Sequence, residues 1–488
     1  MTFDYLGLFR ALLPETALIA GALAVLGVDL IFLRKQCGQV RLNTAAAIAA
    51  LAVVAAIGLA LCVGAVGPVY GGVLMLDPLA LASRLGVLAL ALITLGIATG
   101  APASRNPAEY IAIILFATVG FTLMGAAQQL LIAFLALELA SLSLYILAGF
   151  DKSRPESAEA ALKYFLFGGM SAAFLLFGFS LIYGLTGSID LHKISTALAM
   201  QGMSPLLVVA LVMILVAFGF KAAAAPFHLW APDAYQGAPA PSAALIASAS
   251  KLAGFVLFTR LLWPGLGGVA GDVAGRCGIP GWLPIVAVLA AASMLLGNFA
   301  ALAQINVRRL LAYSAIAHAG VMLLAVIVAG YSGPALLVYY ATTYGLATAG
   351  AFGVLAVLER SGGGCLVTDL AGLYRRSPLL AICLMIFVLS LAGIPPLAGF
   401  FGKFAIFTAA LQLGGVAGPA GWLALLGIAM SALALYYYLV VLKQALVLPA
   451  VPAAGPVKVP LVAALTLVIA AAVIVVLGVC PSLLLNLL

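Results

Sequence analysis

The sequence predicts an all-α polytopic membrane protein of about 14 transmembrane helices, with two inverted five-helix repeats that each contain a broken helix. Three observations predict it. First, 66% of the 488 residues are hydrophobic and only 7% are charged, whereas soluble domains carry roughly 25% charged residues. So few charges cannot cover the surface of a soluble chain of this size. Second, apolar runs of about 20 residues, the length that crosses a bilayer, follow one another from end to end. They are continuous, as helices require, and do not alternate as the short strands of a barrel do. Third, two of the runs are interrupted by proline close to a lysine.

Taken in order, the spans fall at roughly 13–33, 44–66, 78–99, 108–126, 128–149, 157–185, 205–226, 240–263, 282–303, 309–330, 334–358, 378–411, 418–446 and 459–486. The expected organisation is one integral membrane domain, 1–488. It comprises three N-terminal helices (1–107), a first repeat (108–263), a second repeat (282–446) and a C-terminal helix (459–486). The stretch Met1 to Glu15 lacks a basic n-region and runs into a full-length span, so no cleaved signal peptide is expected. The longest loops, near 186–204, 264–281 and 359–377, are too short for a separate soluble domain. Within the last, Ser361-Gly-Gly-Gly-Cys365 lacks the strand–turn–helix setting of a phosphate cradle and reads as a flexible linker.

Charge sets the orientation. With the first span running outside to inside, the cytoplasmic loops hold Arg34, Lys35, Arg41, Arg105, Lys152, Arg154, Arg308, Arg309, Arg360, Arg375, Arg376, Lys443 and Lys458. The opposite side holds Arg10, Lys193, Arg260 and Arg276. This bias places the inner face and turns both termini outward. The net charge of +8 therefore reads as topology, not as nucleic-acid binding. The six cysteines (Cys37, Cys62, Cys277, Cys365, Cys383, Cys480) are scattered, without a C-x-x-C pair or a histidine cluster. They read as small apolar fillers, and iron–sulfur, zinc or disulfide chemistry is not implied.

Both interrupted spans carry charge. In the seventh, Pro226 lies within Phe220-Lys-Ala-Ala-Ala-Ala-Pro-Phe-His228, where it removes a donor and crowds the carbonyl of Ala222. In the twelfth, Pro395 and Pro396 break the helix ahead of Lys403. Backbone groups freed at membrane depth are tolerated only against protein or a water-filled cavity. Matching breaks in two halves point to a site at their junction.

Most ionisable residues fall in loops, so the exceptions are informative. Glu138, Lys163, Lys221, Lys251, His318 and Lys403 all sit inside predicted spans. A central charge costs on the order of 2.5–3.5 kcal/mol even on the lenient insertion scale. Structural readings exist for each: an ion pair for Glu138 and Lys221, snorkelling or helix–helix hydrogen bonding for Lys163 and Lys251. Lys403 could cap carbonyls freed at the double proline, and His318 could be a satisfied interior histidine. His228 reads as interfacial, and Asp29 and Arg84 as structural. The functional reading is proton transfer. Burial and a nearby carboxylate push a lysine in opposite directions, so a moving carboxylate can switch it between holding and releasing a proton. Imidazole can pass protons onward. No haem, flavin or iron–sulfur signature is present, so the driving energy must come from outside the chain.

Three passages carry a resemblance: FKAAAAPFHLWAPDAYQGAPAPSAALIASASK (220–251), NVRRLLAYSAIAHAG (306–320) and LAGIPPLAGFFGKF (391–404). With them the chain resembles the antiporter-like membrane subunits of respiratory complex I over nearly its whole length. The resemblance implies that Glu138 and Lys221 couple one pump unit to the next, that Lys251 is the central relay, and that Lys403 lies on the outward path. Lys163 and His318 match further polar positions of the hydrophilic axis. It implies no cofactor in this chain, with NADH, FMN, iron–sulfur clusters and quinone in partner subunits. The expected neighbours are K-type and M-type membrane subunits and the lipid bilayer. Lys403 stands where the M-type carries a glutamate, and the chain ends soon after its last span where the L-type continues into a long lateral helix. The runner-up is a subunit of a multi-subunit cation/proton antiporter or a membrane-bound hydrogenase. A third reading is a scaffold whose charges only fix helix packing.

Overall fold

The computed structural model describes residues 5–102, 104–272, 281–450 and 455–486. Arg276 and Cys277 lie outside the described residues. Proline sets many of the helix starts, because its missing N–H has no partner in a first turn in any case. Pro78, Pro107, Pro155, Pro205, Pro378 and Pro419 each open a helix.

The apolar helices are α1 (Leu13–Leu33), α2 (Gly38–Val63), α3 (Pro78–Gly100), α4 (Pro107–Ala126), α5 (Leu130–Ala148), α6 (Pro155–Thr186) and α7 (Pro205–Ala222). A short helix α8 (Trp230–Gly237) follows the seventh. Next come α9 (Ala240–Gly265), α10 (Trp282–Leu302), α11 (Val307–Ser332) and α12 (Ala335–Arg360). The pair α13 (Pro378–Ala392) and α14 (Ala398–Gly414) precedes α15 (Pro419–Leu446) and α16 (Leu461–Val479). Among the described residues, 13 helices are long and apolar enough to cross a membrane, and α13 with α14 takes the place of the predicted twelfth span. The departures are local. The second span opens at Gly38 and the last closes at Val479. A short hairpin of β1 (Gly67–Val69) and β2 (Leu74–Leu76) sits among the helices. Gly71 (φ 68) and Gly72 (φ 86) supply its turn.

Two loop expectations are also corrected. The Ser361–Cys365 stretch is not a free linker, because Val307 N–H donates to Cys365 O (2.8 Å) and Val367 N–H to Ile305 O (2.9 Å). Burial pushes the Cys365 thiol up to about 12, so it stays protonated and donates to Glu359 Oε1. Arg308 and Arg260 are not loop cations. Arg308 is buried against Glu359, and Arg260 is buried against Asp77 and the carbonyl of Gly125.

The bundle has a wrapped interior. The apolar windows of α9 and α12 are 100% buried and that of α11 is 94% buried, while those of α1, α2 and α16 are 28% buried. Polar side chains on α9, α11 and α12 are therefore screened from lipid by surrounding helices. The two predicted breaks frame this column and close alike. After α7, Ala223 N–H bonds Phe220 O (2.9 Å) and Ala224 N–H bonds Gly219 O (2.8 Å). After α13, Gly393 N–H bonds Ser390 O and Ile394 N–H bonds Leu389 O, both at 3.1 Å. This is one helix-ending motif used twice, with a left-handed residue at its pivot: Ala223 (φ 55) and Gly393 (φ 87). A Cβ at Gly393 would also lie 3.2 Å from Lys403 Cδ. Gly393→Ala should therefore cost about 1–2 kcal/mol through the left-handed backbone alone, read as a lower melting temperature of the purified protein.

A third interruption had no proline to announce it. In α9 the backbone bends at Ser248 (φ −113, ψ −86), whose hydroxyl bonds back to Ala244 O at 2.6 Å. Such back-bonding competes with the helical ladder and bends helices. The bend comes one turn before Lys251.

Candidate functional site

Four of the sequence-predicted residues lie in the buried interior: Lys221 is 6% exposed, Lys251 2%, His318 5% and Lys403 6%. Each is held by a group that the breaks or the inner column provide. Lys221, one residue before the end of α7, donates from Nζ to Ser141 Oγ of α5 at 3.1 Å. Glu138, one turn back on α5, makes no ion pair with Lys221. It shares a cavity of about 10 Å³ with Lys221, Ser141 and Tyr145, and its Oε1 is buried without a partner. The carboxylate and the ammonium thus line one small cavity, and the ammonium is bound to the Ser141 hydroxyl.

A second cavity of about 10 Å³ lies between Lys221 and Lys251, walled by Phe218, Phe255 and Phe258. It has room for about one water molecule. Lys251 Nζ reaches across to Ala315 O of α11 at 2.5 Å and stands 5.8 Å from the centre of the Tyr344 ring. The other side of that ring environment is His318, whose ring centroid is 4.9 Å from that of Tyr344. His318 Nδ1 pairs with Tyr340 OH at 2.6 Å and Nε2 with Tyr438 OH at 3.2 Å. Ser314 joins Tyr438, and Tyr437 donates to Asn298 Oδ1 at 3.1 Å. A third cavity of about 10 Å³ contains His318, Lys403, Asn298 and Tyr437. Lys403 Nζ donates to Leu391 O (2.9 Å) and Ala392 O (3.2 Å), the carbonyls that the double-proline break sets free. Glu138, Lys221 and Lys251 thus share cavities in turn, His318 and Lys403 share another, and the Tyr344 ring lies beside both Lys251 and His318, so the five form a row from α5 across to α14.

Lys163 stands apart from the row. Its side chain is 38% exposed and pairs with Glu159 one turn back and with Asp233 of α8 at 2.7 Å. Asp233 also accepts from Arg309 Nη1 at 2.6 Å. His228 is buried, not interfacial, in the segment between α7 and α8, and its Nδ1 has no partner. Near it, Trp230 Nε1 caps Phe220 O at 3.0 Å and Ser293 Oγ accepts from Ala225 N–H at 2.9 Å, so the first break is tied by an indole and a hydroxyl. Pro226, Pro395 and Pro396 all sit in the two break segments.

Sequence reasoning missed the hydroxyl partners Tyr340, Tyr438, Tyr437 and Ser314 and the amide of Asn298. It also missed Glu15, which pairs with Arg84 at 3.0 Å where both are almost fully buried, joining α1 to α3. Asp29 pairs with Arg41 at 2.6 Å. A far larger cavity, about 1000 Å³, lies away from the row. It opens on the face where Arg105, Lys152, Arg154 and Glu359 meet. Among the described residues, no three His, Cys, Asp or Glu converge as metal ligands do.

Residues 127–434 match the family described as NADH:quinone oxidoreductase/Mrp antiporter, TM. Among curated relatives, NADH-quinone oxidoreductase subunit N 2 of Acidobacterium capsulatum is 49% identical, over 99% of this chain and 99% of its own. The chain belongs to the subunit N family of NADH-quinone oxidoreductases. Among solved structures, a chain of respiratory complex I from Thermus thermophilus, determined with bound aureothin, is 34% identical with a TM-score of 0.79. That match covers 97% of this chain and 98% of the other. A chain of the Mrp complex from Dietzia shares the fold at a TM-score of 0.79 and 22% identity, with 97% and 96% coverage. For a subunit N chain, the Mrp likeness is one of fold alone.

Proposed function

We propose that this chain is a proton-translocating membrane subunit of an NADH:quinone oxidoreductase, in which the buried row moves protons while other subunits supply the redox energy. The observation that carries the reading is the row itself: three lysines and a histidine, each at least 94% buried, linked by cavities and hydroxyls between two helix breaks. A dry packing role would not call for so many costly groups in one line. The electrons, and the NADH, FMN, iron–sulfur clusters and quinone that handle them, belong to partner subunits.

The steps follow from the geometry. Ser141 Oγ accepts from Lys221 Nζ, and Glu138 lines the same cavity. A shift of α5 or α7 that brings the carboxylate closer favours the charged lysine; withdrawal favours release. A released proton crosses the one-water cavity to Lys251, then passes through the His318 neighbourhood to Lys403. Lys403 alternates between capping Leu391 and Ala392 carbonyls and giving up its proton. The outer half of each transfer works against the membrane potential, about 2.3 kcal/mol per charge at 100 mV.

On this reading the neighbours are the K-type and M-type membrane subunits. It puts the basic face, with Arg105, Arg154 and Arg309, in the cytoplasm, and both termini outside. The two halves around the breaks then act as inverted repeats. Purification through a tag on this chain tests the assignment. NADH-driven quinone reduction and iron–sulfur proteins should co-purify with it. A complex that lacks both but exchanges sodium for protons would instead support the cation/proton antiporter.

A further inference from the structure

The end of the last span meets the second break. In α16 the final rung of the helical ladder runs from Cys480 N–H to Val476 O at 2.8 Å. The next carbonyl, Leu477 O, would take the N–H four residues on, but that residue is Pro481 and has none. A side chain of the inner column donates in its place: Tyr339 OH of α12, at 2.8 Å. Tyr339 is 0% exposed, so the hydroxyl reaches α16 from the interior of the bundle. One residue further, a Cβ on Gly478 would overlap Pro396 O and stand 2.6 Å from Leu397 C and 2.7 Å from Ala398 N. The end of α16 therefore lies directly on the backbone that joins α13 to α14.

The same tyrosine touches α14. Its ring meets that of Phe401 edge to face at a centroid distance of 5.3 Å. A Cβ on Gly402 would stand 3.5 Å from Tyr339 Cδ1 and 2.7 Å from Cδ2 of the adjacent Tyr340, whose hydroxyl pairs with His318. Residues 401 and 402 are thus seated against the tyrosine pair, and the next residue is Lys403. On the other side, Gly399 N–H donates to Ser390 Oγ at 3.2 Å, tying the first turn of α14 to the last turn of α13. Lys403 Nζ reaches Leu391 O and Ala392 O across the break, so its two bonds depend on how α14 sits over α13. The apolar window of α12 is 100% buried and that of α16 is 28% buried. Tyr339 therefore fastens an outer helix to the inner column at the level of the break.

We propose that Tyr339 is a positioning residue for Lys403: its hydroxyl latches the end of α16 onto the second break and so holds the ammonium over the Leu391 and Ala392 carbonyls. This role presupposes the transport reading of Lys403 above and names the group that sets its geometry. Tyr339 carries no proton itself. Without its hydroxyl, Leu477 O loses its donor and Gly478 is free to lift from Pro396. The break then gains freedom to shift, and Lys403 with it.

The test compares Tyr339→Phe, Lys403→Gln and the two combined, each in the assembled, reconstituted complex. Tyr339→Phe keeps the ring and its packing and removes one oxygen. Pumping should fall by roughly fivefold, short of the 10²-fold that a misplacement of about 1 Å can cost, because the ring still packs on Phe401 and Gly402. In the Lys403→Gln background the same change should cost nothing further, since the group it positions is already gone. A structural role unconnected to Lys403 would lower pumping by the same factor in both backgrounds, and that result overturns the proposal. Parent-level pumping by Tyr339→Phe beside a slow Lys403→Gln also overturns it and leaves the row standing. Parent-level pumping by Lys403→Gln removes Lys403 from transport instead. If Tyr339→Phe does not assemble alone, Pro481→Ala is added, which offers Leu477 O a backbone N–H without restoring the latch. Slow pumping by that assembled pair supports the positioning role, and parent-level pumping overturns it.

Discussion

Lys221→Ala should slow NADH-driven proton pumping by roughly 10²-fold, the lower end of what a positioned acid or base contributes. The quinone reduction coupled to pumping should slow with it. The argument is geometric. Among the described residues, Lys221 is the group that lines both the cavity it shares with Glu138 and the one it shares with Lys251. Removing it takes away the titratable group that joins the two cavities, leaving Phe218, Phe220 and Phe255 around the gap. Glu138→Gln should have a smaller effect of the same sign, because it removes the moving charge but not the carrier. Ser141→Ala should be mild: Lys221 loses its resting partner at 3.1 Å but keeps both cavities. Reconstituted complex with a dye sensitive to the proton gradient gives the ranking. If Lys221→Ala and Glu138→Gln both pump at full rate, the Glu138–Lys221 step is not part of transport.

The positions of the spans were legible because bilayer thickness imposes a length and hydrophobicity that few sequences meet by accident. The breaks were legible for a related reason: Pro226, Pro395 and Pro396 announce themselves. The bend at Ser248 was not, since a serine that bonds back to the preceding turn looks like any other small residue in a run of alanine and serine. The lysines stood out because a charge inside a span is expensive. Their hydroxyl partners did not. Tyr340, Tyr344 and Tyr438 sit in apolar helices as ordinary aromatics would, and only convergence of α11, α12 and α15 makes them a network around His318. Lys163 shows the opposite error of hydropathy. It lies inside the residue range of α6, yet its end of that 32-residue helix reaches the ion cluster with Asp233 and Arg309. Pairings such as Glu15 with Arg84 or Asp77 with Arg260 join residues far apart in the chain, and no local pattern specifies them.

Lys403 separates the transport reading from the scaffold reading, because it serves both. Its ammonium caps the Leu391 and Ala392 carbonyls, which the break leaves without helical donors. Lys403→Ala should therefore strand two buried acceptors, at about 1–3 kcal/mol each. Loss of assembled complex from that variant would say nothing about protons. Lys403→Gln is the informative change. Its amide offers two N–H donors from a slightly shorter stem, so the carbonyls keep a partner, but it cannot pick up and release a proton at accessible pH. If Lys403 only closes the break, the glutamine complex should assemble and pump like the parent. If it passes protons onward from His318, the glutamine complex should assemble with near-normal melting yet lose pumping by roughly 10²-fold or more. Lys403→Arg sharpens the comparison, since guanidinium keeps the charge and the donors but holds its proton throughout. Pumping retained by lysine alone, with all three complexes assembled, requires a proton to leave this side chain in each cycle.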